Sequence, residues 1–155
     1  MTKSVLFVCL GNICRSPLAE AAFRNEAERL GLDVEIDSAG TGDWHIGHPP
    51  DRRAIAVAGK NGVDISRLRA RQVTPQDFSR YDYIIALDEQ NLANLGRMQP
   101  EDGKAELSLL LDHVEGGEGE AVVDPYYGED EHFDVTWRDV TECAKALARK
   151  IAREK

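Results

Sequence analysis

Apolar and polar positions follow two periods along the chain. From Ser4 to Leu10 the residues are almost continuously apolar, rich in Val, Leu and Phe, and the run ends at Gly11, as expected of a strand buried on both faces. After a short loop, Ala19, Phe23, Ala27 and Leu30 recur at helical spacing, with Ser16 suited to the N-cap, Pro17 to the first helical position and Gly31 to the stop. Val34 to Asp37 alternates apolar and acidic residues as a second strand would, and Ser38 to Asp43 reads as a flexible loop leading to Trp44. Together these form one βαβ unit.

Beyond Pro49-Pro50, Asp51 to Lys60 suits a helix that ends at Asn61-Gly62, and Thr74 to Asp77 carries a capping-box pattern for another short helix. Tyr81 to Leu87 predicts a third strand, Asp88 can cap a helix running through Asn91 and Leu95, and Ala105 to Leu111 predicts a fourth strand. Glu115 to Asp134 is acidic, glycine-rich and aperiodic, the mark of a long functional or mobile loop. Trp137, Val140, Ala144, Leu147 and Ile151 then fall on one face of a last helix, which buries Cys143 as a structural thiol. Strands alternating with helices give an α/β fold, a doubly wound parallel sheet with helices on both faces. Ligands of such sheets collect at the carboxyl ends of the strands. That rule gathers the loops Gly11 to Arg15, Ser38 to Trp44, Asp88 to Asn91 and Val123 to Tyr127.

A length of 155 residues suits a single domain, 1–155, with one site. Hydrophobic residues at 42% and charged residues at 30% describe a chain with a core and no disordered tail. Val5 to Leu10 is too short for a signal peptide or a membrane span, so a cytoplasmic location is expected. A net charge of -9 without a basic block argues against nucleic acid and anionic membranes as partners. Three cysteines make no disulfide framework, and His45, His48, His113 and His132 lack metal-site spacing. No metal and no cofactor are expected.

Chemistry concentrates at the first strand-to-helix turn, Cys9-Leu10-Gly11-Asn12-Ile13-Cys14-Arg15-Ser16. Successive N–H groups in such a loop and the positive end of the helix dipole converge on one point and bind phosphate. Gly11 permits the tight path. Arg15 lies across the mouth of this cup, where its planar fork holds two phosphoryl oxygens as phosphorus becomes trigonal bipyramidal. The same field favours the Cys9 thiolate, which attacks phosphorus and gives a cysteinyl-phosphate, while the Ser16 hydroxyl can donate to the sulfur. A leaving phenolate then needs a proton, and Asp124 is the candidate to supply it and afterwards to deprotonate the attacking water. Pro125 holds Asp124 toward an extended form, and Gly116, Gly117 and Gly119 let the loop reach the mouth. Taken singly, these residues have simpler readings: Asp124 as a solvated carboxylate, Trp44 and Tyr126 as packing, Cys14 as an inert thiol, Asp88 as a helix cap and the histidines as surface groups.

Three separated blocks carry a resemblance. Val5 to Glu20, Ser38 to Trp44 and Asp124 to Tyr127 are similar to the signature, second block and acid loop of the low-molecular-weight protein tyrosine phosphatase family, and the similarity runs nearly end to end. It implies a four-stranded parallel sheet, metal-free hydrolysis of phosphomonoesters, Cys9 as nucleophile, Arg15 as phosphate clamp and Asp124 as general acid and base. Leu10, Gly11, Asn12, Ile13 and Cys14 would form the phosphate loop, tied down by Asn12 and Ser38. Ser16 would stabilise the thiolate, and Asp88 would orient Arg15. Trp44 and Tyr126, with Tyr127 beside them, would wall a slot for a phenyl ring. Cys14 would be the redox partner that takes an oxidised Cys9 into a reversible disulfide. The implied partner is a phosphotyrosine protein or peptide with inorganic phosphate as product, and the implied state a monomer or weak dimer. One departure stands out: many members have a histidine where this chain has Leu68, before Arg69-Ala70-Arg71, so that histidine's role does not transfer.

Three rivals remain. Arsenate reductases of this fold need a further cysteine pair, absent from Ala86 to Gly96. Arginine phosphatases typically have threonine where Ile13 stands. A phosphocarrier or phosphotyrosine-binding module would hold phosphate without turnover and would need no acid such as Asp124.

Overall fold

The structure is a computed structural model that describes residues 2–114, 116–117 and 119–154. Glu115 and Glu118, in the expected long loop, lie outside the described residues. Four strands, β1 (Lys3–Cys9), β2 (Val34–Gly40), β3 (Tyr83–Ala86) and β4 (Glu106–Leu109), form one sheet in the order β2-β1-β3-β4. Every neighbouring pair is parallel. The helices are α1 (Arg15–Leu30), α2 (Arg52–Lys60), α3 (Asp77–Arg80), α4 (Glu89–Met98) and α5 (Asp130–Arg153).

Strand side chains alternate between faces, and the core divides accordingly. Val5 and Phe7 of β1 and Ile85 of β3 pack with Leu18 and Phe23 of α1, Val57 of α2, and Val140 and Leu147 of α5. Leu6, Val8 and Ile84 pack on the other face with Phe78 of α3 and Leu95 of α4. The Phe7 and Phe23 rings meet at 5.6 Å and 59°, an edge-type contact worth about 1 kcal/mol beyond area burial. Helices therefore cover both faces, as the alternation of elements requires. From β1 the chain turns outward to β2 on one side, and from β3 to β4 on the other, so the carboxyl ends of β1 and β3 flank the crevice where such sheets bind ligands.

Several boundaries differ from the sequence expectation. Ser38, Ala39 and Gly40 are strand rather than flexible loop, pairing with Phe7, Val8 and Cys9. Glycine is required at position 40, because a Cβ there would lie 2.7 Å from the Leu10 carbonyl oxygen. Ser16 is not the N-cap of α1: Cys14 occupies that position and makes no side-chain cap bond, and the Ser16 hydroxyl is used elsewhere. Pro17 is the third helical residue, still within the turn whose N–H groups lack intrahelical acceptors. β3 and β4 are shorter than their apolar runs, and Leu110–His113 forms a 3₁₀ turn. α5 starts inside the expected loop, at Asp130; its acidic first turn suits the positive helix end but hides the start from an apolar pattern. Asp88 caps α4 through the Asn91 N–H, as expected, and Asp51, read as the start of its helix, caps α2 through the Arg53 N–H.

Candidate active site

Cys9 ends β1, and its buried sulfur accepts the Asn12 N–H at 3.3 Å and lies 2.9 Å from the Ser16 hydroxyl. The loop turns back at Asn12, which has φ 59°, a conformation that asparagine tolerates better than most residues. Its side chain fixes that turn. The amide Nδ2 donates to Ser16 Oγ at 2.8 Å and to Ser38 Oγ at 3.0 Å, and Oδ1 accepts the Arg71 N–H at 3.0 Å. Ser38 in turn donates to Glu20 at 2.7 Å. Ser16 Oγ accepts from Asn12 and keeps a proton that it can donate to a Cys9 thiolate. Burial pushes the Glu20 carboxyl above its ordinary range, opposed by the hydrogen bonds from Ser38 and Arg24.

Arg15 opens α1 with its side chain 4% exposed. Its Nη1 donates to Asp88 Oδ2 at 2.8 Å and to the Val122 carbonyl at 2.9 Å. Nη2 faces Asp124 Oδ2 at 3.6 Å and, with Nε, makes no hydrogen bond among the described residues. Donors therefore remain for an oxyanion. Asp88 divides its oxygens: Oδ1 accepts the Asn91 N–H at 2.8 Å as the cap of α4, and Oδ2 holds Arg15. Asp88 is thus both the cap of α4 and the ion-pair partner of Arg15.

A cleft of about 400 Å³ opens above the sulfur, lined by Cys9 to Gly11, Ile13 to Arg15, Trp44, His45, Asp124, Tyr126 and Tyr127. The N–H groups of Thr41 and Gly42 donate to the carbonyls of Cys9 and Leu10 at 3.0 and 2.9 Å, so the segment after β2 is tied to the loop and carries Trp44 to the mouth. Trp44 lies over Gly42, where a Cβ would fall 1.9 Å from the ring. Tyr126 and Tyr127 meet edge to face at 4.9 Å, but Tyr127 is 95% exposed, an open wall at most. All the expected loops converge. Asn12, Ser16, Ser38 and Asp88 stand behind the cleft as supports rather than in its lining.

The sequence reading left out His45, Glu20, Arg71, Arg53 and the Val122 carbonyl. His45 had a positional signal, directly after Trp44, whereas the others follow only from tertiary contact. Leu68 is half-buried and packs against the apolar cluster under α1, so the family histidine's position is hydrophobic here.

Cys14 also lines the cleft, but burial, followed by the nearby charges of Asp51, Cys9 and Asp124, pushes its thiol well above the ordinary range. Burial pushes the Cys143 thiol up to about 12. Iodoacetate at pH 7 is therefore expected to alkylate Cys9 alone in the folded protein, with inorganic phosphate protecting it. Peptide mapping that found Cys14 or Cys143 modified first would contradict this ranking.

Residues 4–155 match the family model described as low molecular weight phosphotyrosine protein phosphatase. The fission yeast Schizosaccharomyces pombe protein of that name is 44% identical over 98% of this chain and its own whole length, and the human one is 41% identical over 96% of each chain. The crystal structure of YfkJ from Bacillus subtilis superimposes with a TM-score of 0.92 at 41% identity, covering 100% of this chain and 98% of that one. The chain belongs to the low molecular weight phosphotyrosine protein phosphatase family.

Proposed function

We propose that this chain hydrolyses phosphotyrosine on proteins with Cys9 as nucleophile, Arg15 as phosphate clamp and Asp124 as general acid and base. One observation carries the reading: the Cys9 sulfur lies against the Ser16 hydroxyl and accepts the Asn12 amide while facing a cleft bordered by Arg15 and Asp124. The thiolate attacks phosphorus, the phosphorus–oxygen bond to the ring breaks, and the phenolate takes the Asp124 proton. Water then gives a proton to Asp124 and attacks phosphorus, and the sulfur–phosphorus bond breaks to release inorganic phosphate and restore the thiolate. Two donors of Arg15 remain for the equatorial oxygens, whose charge grows in the transition state. Ile13, Trp44 and Tyr126 supply apolar walls for the ring.

Cys14 is read as the redox partner: a Cys9 sulfenic acid formed by peroxide would lose water to the Cys14 thiol and give a disulfide. The reading includes no metal and no cofactor, a cytoplasmic location, a single domain spanning 1–155 and a monomer or weak dimer. Among the described residues no helix is long and apolar enough to cross a membrane.

A panel of phosphotyrosine, phosphoserine and phosphoarginine peptides in EDTA tests the assignment. Phosphotyrosine is expected to turn over, with phosphoserine slower by on the order of 100-fold because its short side chain forgoes the aromatic walls. Preference for phosphoarginine, or tight binding without phosphate release, would move the protein to one of the rival classes.

A further inference from the structure

Arg53, the second residue of α2, does not line the cleft, yet its side chain joins the two loops whose meeting makes it. Nη1 donates to the Gly128 carbonyl and Nη2 to the Tyr126 carbonyl, each at 2.8 Å. Nε and Nη2 also hold the two Asp51 oxygens at 3.0 and 3.1 Å. The guanidinium carbon stands 4.5 Å from the centre of the Phe133 ring of α5. Four hydrogen bonds and a ring face thus fix one planar group. Asp51 connects it to the phosphate loop, since its N–H donates to the Ile13 carbonyl at 2.8 Å.

We propose that Arg53 is a positioning residue for the general acid, holding the Asp124–Gly128 loop against the phosphate loop so that the Asp124 carboxyl meets the leaving oxygen. The proposal rests on the reading of Asp124 as that acid. Upstream of Asp124 the loop is anchored by the Val122 N–H on the Leu87 carbonyl and by Arg15 on the Val122 carbonyl. Thr136 reaches the Val123 carbonyl at 3.4 Å. Downstream, the other hydrogen bonds of residues 125–128 among the described residues are internal: the Tyr126 N–H donates to Asp124 Oδ1 at 3.0 Å and the Gly128 N–H to the Pro125 carbonyl at 2.8 Å. Arg53 is therefore the tether on that side. Its pull reaches the carboxylate through one residue, because Tyr126 gives its carbonyl to Arg53 and its N–H to Asp124. Lysine cannot replace it, since a single ammonium on a flexible stem lacks the fork that reaches both carbonyls and Asp51 together.

General acid catalysis matters most when the phenol leaves poorly, which separates positioning from a merely structural role. The test compares wild type, Arg53→Lys, Asp124→Asn and the double variant on phenyl phosphate and 2,4-dinitrophenyl phosphate, with inhibition by inorganic phosphate as the check on the cup. Arg53→Lys is expected to lose about 10- to 100-fold in kcat/KM on phenyl phosphate, the scale set by small misplacements of a catalytic group. On the dinitrophenyl ester the loss in kcat/KM should be a few-fold, and the phosphate inhibition constant should stay within about twofold of wild type. The double variant should be no slower than Asp124→Asn. Equal losses on both esters in Arg53→Lys, with a graded loss in Asp124→Asn, would overturn the role of Arg53 alone. A flat profile in Asp124→Asn would remove the acid assignment and this proposal with it.

Discussion

Cys9→Ser is expected to lower kcat on phosphotyrosine by on the order of 10⁵-fold or more, the scale seen when an enzyme loses its nucleophile, while the fold stays intact. Serine is nearly isosteric, so β1 and the core beneath it keep their packing. What changes is the reacting atom. A hydroxyl at this position stays protonated at neutral pH, and the Ser16 and Asn12 donors that suit a thiolate would instead face a neutral oxygen. The covalent step then has no competent attacker. Acid quench of the wild-type protein during turnover of a labelled aryl phosphate should trap phosphate on a peptide containing Cys9, and the variant should trap none. Retained turnover in Cys9→Ser, or label on another residue, would overturn the nucleophile assignment. Arg15→Lys is a weaker test of the same site, because it also leaves Asp88 facing a group that cannot match its geometry.

Asp124→Asn should lower kcat on a tyrosine-like leaving group by about 10²- to 10⁴-fold, the usual worth of a positioned acid or base. The asparagine keeps the shape of the side chain and can still accept the Tyr126 N–H, so the loop should hold. Both half-reactions suffer: the phenolate departs without a proton, and the water attacks without a base. With a good leaving group the first step recovers and the second does not, so the cysteinyl-phosphate should accumulate. Stopped-flow mixing with 2,4-dinitrophenyl phosphate should then give a burst of phenolate close to one equivalent per protein, followed by slow turnover. Absence of a burst, together with equal losses on good and poor leaving groups, would return Asp124 to the status of a solvated loop carboxylate.

The order of elements was legible because buried strands and amphipathic helices have different periods and each is bounded by glycine, proline or a capping aspartate. Asp88 could be read as a cap from its neighbours alone. The errors lie where a tertiary contact overrides a local preference. Ser16 has the chemistry of an N-cap, yet the Cys9 sulfur and the Asn12 amide claim its hydroxyl. Ser38 to Gly40 has the composition of a loop, yet edge pairing with β1 and the closeness of the Leu10 carbonyl keep it extended. α5 begins among acidic residues that carry no apolar period. In the site, Cys9, Arg15 and Ser16 were readable because they share one short turn. Asp124 was a candidate only through its loop, and Glu20, Arg71 and Arg53 act across distances in sequence that spacing does not encode.

Asp88 spends one oxygen on the first turn of α4 and the other on Arg15, and that division ties competence to a local folding equilibrium. α4 is ten residues long with a glycine at position 96, a helix too short to persist without the sheet beneath it. Fraying of its leading turn would release the carboxylate and leave the guanidinium held by the Val122 carbonyl without its charged partner, although the sheet need not melt. Such partial openings cost less than global unfolding. Activity is thus expected to fade on warming as the first turn of α4 opens, below the temperature at which the whole chain comes apart.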